Sequence, residues 1–190
     1  MKKMLIFLMA MLIATSASAI TNPDPDIMGY YFDLDADYDC VDGITPYSAN
    51  LLFLILTNPT SDAIYGFEAG YTMEGEGMVL SVEFANPQVI NVGTNDNIIA
   101  GFGEPTLTVP ATLILTLNVM YMDPGYGALM IFLHGTTPSS LDPLYPTLLL
   151  EGGVLQSVGV NNFGWATAQF NNCVMATETQ SFDSLKSLYR

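Results

Sequence analysis

The sequence predicts an all-β fold: an antiparallel β-sandwich with a short C-terminal helical tail. Three observations predict it. Apolar segments of seven to twelve residues recur along the chain, too short to span a membrane and too closely spaced for long helices. They are separated by Asn58-Pro59, Glu74-Gly75-Glu76-Gly77, Asn86-Pro87, Asp123-Pro124-Gly125 and Gly152-Gly153. These residue types occupy turns because they adopt positive φ, preset φ or bond to their own backbone. Within several segments the side chains alternate with period two, which puts one set on the core face of a strand.

Strands are expected near 27–33, 49–57, 63–72, 78–85, 110–122, 128–135, 147–150 and 153–160. Phe67, Ala69 and Tyr71 fall on one face, opposite Gly66, Glu68 and Gly70. Met78, Leu80, Val82 and Phe84 likewise share a face, opposite Val79, Ser81 and Glu83. Leu51 to Leu56 and Leu129 to Leu133 are apolar on both faces, so these strands belong at the centre of a sheet, covered on both sides or packed under a loop. Ser181 is placed to cap a short C-terminal helix carrying Phe182, Leu185 and Leu188 on one side, with Lys186 and Arg190 in its last turn. This tail reads either as a docking helix over the sandwich end or as a recognition tail.

The N-terminus reads as an export signal. Lys2 and Lys3 precede the apolar run Met4 to Ile13, and Ala17-Ser18-Ala19 is an acceptable cleavage site. The expected organisation is a signal peptide at 1–19, one sandwich domain at 20–175 and the tail at 176–190. No integral membrane segment is expected after cleavage, and no cysteine follows the apolar run to take a lipid. The expected location is extracytoplasmic: secreted, periplasmic or cell-surface, in a bacterium. Cys40 and Cys173 are the two cysteines, and in an oxidising compartment they are expected to form a disulfide joining the two ends of the domain.

Charge narrows the partners. The chain carries 19 acidic residues against four Lys and Arg, for a net charge of −15. Lys2 and Lys3 leave with the signal peptide, so only Lys186 and Arg190 remain. Such a field repels phosphate backbones, which excludes nucleic acid and favours cations or basic proteins. The expected partner class is a protein or a surface polysaccharide.

The conspicuous polar motif is Asp33, Asp35, Asp37 and Asp39, followed by Asp42-Gly43. Alternate carboxylates can converge on calcium, the one cofactor the sequence suggests. The motif departs from an EF-hand loop, with Tyr38 where the turn glycine belongs and Ile44 where a bidentate Glu belongs. A solvated acidic loop is the alternative. His134 is the only histidine. Although Ser139, Ser140 and Asp142 follow it, a catalytic triad is assembled in space and not along a loop. Glu68 and Glu83 on neighbouring strands are the candidate pair for glycoside hydrolysis. Trp165 and Tyr30, Tyr31, Tyr38, Tyr126 and Tyr145 are able to stack on sugars, or to serve as ordinary core and rim residues. No catalytic residue is assigned.

Thr57-Asn58-Pro59, Ile64 to Tyr71 with its Gly66-Phe67 step, Val79-Leu80-Ser81-Val82 and Ala111 to Leu117 resemble the cohesin-type sandwich over about 48–160. Glu68 and the lack of an Asp after Tyr71 depart from that pattern. The resemblance implies an immunoglobulin/cohesin-like jelly-roll sandwich and a non-enzymatic role in protein–protein attachment. The whole chain also resembles uncharacterised secreted proteins of uncultured bacteria, through Gly29-Tyr30-Tyr31-Phe32-Asp33, residues 134–142 and the ending 184–190. The reading is therefore a secreted, non-enzymatic binding or structural module. Its alternatives are a calcium-dependent glycan- or ligand-binding domain and, more distantly, a glycoside hydrolase-like enzyme.

Overall fold

The computed structural model describes residues 23–162 and 164–173; the export signal and the helical tail lie outside the described residues. The apolar run from Leu51 does form a central strand. β3 (Ser48–Thr57) lies between β1 (Ile27–Tyr31) and β8 (Ala111–Tyr121), and β5 (Gly77–Phe84) completes that side of the first sheet. Its order is β12-β1-β3-β8-β5, with β12 (Gly159–Val160) added in parallel to β1.

The second sheet is built on β4 (Ala63–Glu74). On one side β4 pairs with β7 (Asn97–Leu107), which in turn pairs with β6 (Val89–Asn91). Gly66 to Glu68 pair at once with β7 and with β10 (Thr147–Leu149), while Gly70 pairs at once with β7 and with β9 (Leu129–His134). β9 and β10 therefore run end to end along the same side of β4, as one lane interrupted by residues 135–146. β11 (Leu155–Ser157) flanks β10, and β13 (Ala168–Phe170) flanks β9. β2 (Cys40–Val41) adds in parallel to β13 at the edge. The antiparallel sandwich thus carries two short parallel additions at its rims.

Inward side chains of both sheets make one core. Leu52, Leu54, Leu56, Leu115, Leu117 and Val119 of the first sheet meet Phe67, Ala69, Tyr71, Ile98, Ile131 and Leu148 of the second. Aromatic pairs bridge the layers. Tyr30 meets Tyr71 edge-on at 6.1 Å, and Tyr121 stacks on Phe170 at 6.4 Å, contacts worth about 0.5–1.5 kcal/mol each beyond burial.

Ile55 points out of the first sheet and is also fully buried. The loop after β1 folds back over it, so that Tyr31, Ala36 and Ile55 form a small second core against Phe53, Ala111 and Leu113. The acidic segment is the cover that the two-faced run required.

β5 departs from the straight alternation expected of it. Its register against β8 shifts between Val79 and Ser81, leaving Leu80 as the extra residue. Val79 packs on the core before the bulge, and Val82 and Phe84 after it, whereas Met78 and Leu80 are exposed. β7 was not expected at all. Gly101, Gly103, Glu104 and Pro105 break its apolar run, yet eleven residues are extended there.

All four Lys and Arg residues lie at 2, 3, 186 and 190, so the described sandwich contains neither type. No helix among the described residues is long and apolar enough to cross a membrane.

Candidate functional site

Cys40 and Cys173 form the expected disulfide, with their α-carbons 5.8 Å apart. It anchors the short strand β2 beside the end of the domain, where Asp42 Oδ1 accepts a hydrogen bond from Cys173 N at 3.0 Å.

The four aspartates have separate occupations. Asp33 Oδ1 accepts from the backbone N–H groups of Asp37 and Tyr38 at 3.0 and 3.1 Å, which closes its own turn. Asp39 Oδ2 accepts from the side-chain amides of Asn161 and Asn162 at 3.2 and 2.7 Å, tying the acidic loop to the turn after β12. Asp35 is exposed and Asp37 half-buried. Among the described residues, no group of three or more His, Cys, Asp or Glu side chains is arranged to hold a metal ion.

The candidate catalytic groups have other partners. Glu68 and Glu83 do not sit on paired strands, because the turn Glu74 to Gly77 carries the chain from the second sheet to the first. Glu68 points out of one sheet and Glu83 out of the other, on opposite sides of the sandwich. His134 Nδ1 is 2.6 Å from the carbonyl oxygen of Gly135, and Asp142 Oδ1 accepts from Leu144 N. The Ser140 hydroxyl instead donates to Glu68, whose other oxygen accepts from Ser140 N and Thr136 Oγ1. Asn97 exchanges two further bonds with the backbone of Thr137. Glu68 and Asn97 thus pin the loop that interrupts the β9–β10 lane.

Tyr30 and Tyr31 are core residues, and Tyr38, Tyr126 and Trp165 lie exposed on separate loops.

The outer face of the second sheet carries a different feature. The register puts Leu155, Leu149, Gly66, Gly101 and Ile90 in one row across five strands. The next row reads Ser157, Thr147, Glu68 and Ile99. Gly101 hollows the middle of the first row, where a β-carbon would meet nothing, while a β-carbon at Gly66 would meet the Ala100 carbonyl of the neighbouring strand. The result is an open groove of about 430 Å³. Its walls are aliphatic: Ile90 is 70% exposed, Val92 75% and Leu155 40%. Thr147, itself buried, lines it with a hydroxyl that has no hydrogen-bond partner among the described residues. Three strand spacings separate Ile90 from Leu149, about 14 Å, which accommodates one α-helix of about 10–12 Å diameter.

No sequence signal pointed to this site. Ile90, Val92, Ile99 and Gly101 all belong to the unexpected strands β6 and β7 or their junction.

No family model matches the chain, and no curated protein matches it. Among solved structures, the third ScaB cohesin of R. flavefaciens, in complex with a group 1 dockerin, superposes with a TM-score of 0.50. The match covers 80% of this chain and 97% of that one at 10% identity. The fold is cohesin-like. CaCohA2 of Clostridium acetobutylicum (TM-score 0.47, 12% identity, 82% and 95% covered) and a non-cellulosomal cohesin from Archaeoglobus fulgidus (0.47, 10%, 78% and 91%) are also similar. The cohesin-like sandwich accounts for the fold expected from Gly66-Phe67 and its neighbouring motifs.

Proposed function

We propose that this chain is an exported, non-enzymatic attachment module that seats a helical segment of a partner protein in the groove of its second sheet. The observation that carries the reading is the groove itself. Aliphatic walls exposed to this extent are disfavoured on a free surface and mark interaction sites, and the trough has the width of one helix. The fold supports it, since the R. flavefaciens cohesin of similar architecture was solved with a dockerin bound. The leader-like N-terminus and the Cys40–Cys173 disulfide support export. The placement of Glu68 and Glu83 in different sheets, and the engagement of the Ser140 hydroxyl by Glu68 and of the His134 ring by the Gly135 carbonyl, support a non-enzymatic role.

The test compares wild type with two groove variants, Ile90→Asp/Val92→Asp and Gly101→Val. The first puts charge on exposed walls, and the second fills the floor at a position with open space. Both should keep the wild-type melting temperature, while a discrete partner captured from the native surface fraction by wild type is lost from both. Equal capture by all three proteins would overturn the proposal.

A further inference from the structure

The groove sets conditions on its occupant. An occupant must present an apolar face to Ile90, Val92, Leu149 and Leu155, and it must bring its own cations. Glu68 lines the groove, Glu104 follows Gly103 on β7, and Glu151 follows β10. Of the nineteen carboxylates, all but Glu178 and Asp183 fall within 23–173, with no Lys or Arg among them. An acidic surface without internal counter-ions attracts basic segments at short range.

The chain contains one segment with this chemistry outside its leader. Residues 181–190 read Ser-Phe-Asp-Ser-Leu-Lys-Ser-Leu-Tyr-Arg, with Phe182, Leu185 and Leu188 at helical spacing and both remaining cations, Lys186 and Arg190. From this match we infer that the 181–190 segment of one copy docks in the groove of a second copy, linking molecules head to tail. The inference rests on the groove being a protein-docking site.

Geometry favours a second copy over the same one. Gln169 pairs with Met130 and with Cys40, and Met130 pairs with Glu74, so the disulfide lies level with the far end of β4. Gly66, in the row that crosses the groove, is eight residues back along β4, about 27 Å, and β2 is three strands across, about 14 Å more in the perpendicular direction. The straight-line separation is thus about 30 Å. The nine residues from Cys173 to Phe182 span at most about 31 Å when fully extended. Docking in cis would need a chain with no slack; docking in trans needs no stretching. Because tail and groove are different surfaces, the contact is heterologous and propagates unless it closes into a ring.

The experiment is sedimentation velocity on residues 20–190 across the micromolar range, with three variants. The groove variant is Ile90→Asp/Val92→Asp, the tail variant is Leu185→Asp/Lys186→Glu, and Gly101→Val blocks the floor. Wild type should gain mass with concentration, and each variant should remain monomeric, with self-affinity at least about tenfold weaker, as when a central anchor is lost. Mixing the groove variant with the tail variant should restore a one-to-one dimer, because one supplies an intact tail and the other an intact groove. That complementation is the decisive reading, since a merely destabilised variant would not be rescued. Wild type that stays monomeric, or a tail variant that associates like wild type, would overturn the inference. Loss of a captured foreign partner from the groove variant, alongside a monomeric wild type, would overturn self-docking and leave the proposed function standing.

Discussion

Replacing Cys40 with Ser should lower stability chiefly by freeing the unfolded chain. The two cysteines are 133 residues apart in sequence. The loop-entropy relation gives about 5 kcal/mol at 25 °C for a loop of that length. A domain of this size shifts by about 2–4 °C per kcal/mol, so the melting temperature should fall by about 10–20 °C. The folded geometry has other ties at the same place and should survive. Asn171 exchanges side-chain bonds with the backbone of Ile44 at 2.9 and 3.0 Å, and Gln169 N and Asn171 N donate to Asp39 and Val41 carbonyls at 2.9 Å. Thermal melts of wild type and Cys40→Ser, each with and without reductant, read the effect directly. Reduced wild type should melt with the mutant, and reductant should leave the mutant unchanged. If oxidised wild type and mutant melt together, the entropic argument fails.

Tyr31→Phe should be neutral or stabilising by up to about 1 kcal/mol, because it removes a buried hydroxyl that has no partner among the described residues. A measured loss beyond that value in denaturant unfolding would show that the hydroxyl is engaged. Alkali should unfold the protein early. Burial, and then Asp96, push the Tyr71 hydroxyl up to about 12, and burial, and then Tyr71, push Tyr30 up as well. The folded state keeps these protons while the unfolded chain releases them near 10, so stability is complete below about pH 10 and falls from there toward 12. Tyr71→Phe should flatten that fall; an unchanged slope would refute the assignment. Calcium and EDTA should leave the melting temperature unmoved, since Asp33 is already bonded within its own turn and Asp39 to the amides of Asn161 and Asn162. A calcium-dependent rise abolished by Asp33→Asn with Asp35→Asn would restore the cation site.

Local patterns carried the core of this fold, and pairings between distant residues carried the site. Leu51 to Leu56 announced a central strand because no single buried face accounts for six consecutive apolar residues, and the loop over Ile55 resolves the second face. Phe67, Ala69 and Tyr71 alternate cleanly because β4 is regular on its inward side. The pattern misled in β5, where Met78 and Leu80 look like partners of Val82 and Phe84. A bulge is set by the register of the facing strand β8, and nothing within β5 reveals it. The groove was illegible for the same reason. Gly66, Gly101 and Leu149 become neighbours only through two ladders, and Gly101, which opens the floor of the site, is also one of the glycines that hide β7 as a strand. Glu68 and Glu83 illustrate the converse error, in which sequence neighbours were read as sheet neighbours although a turn sends them to opposite layers.

The confinement of every lysine and arginine to the two ends has a consequence for proteolysis. An enzyme that cuts after basic residues finds no site between residues 4 and 185, whether the sandwich is folded or unfolded. Its cut after Lys186 falls between Leu185 and Leu188 and splits the docking segment, while leaving the groove whole. Trypsin is therefore a reagent that separates the donor half of the proposed contact from the acceptor half, and the same asymmetry would let a surface protease unlink an assembled chain without damaging its units.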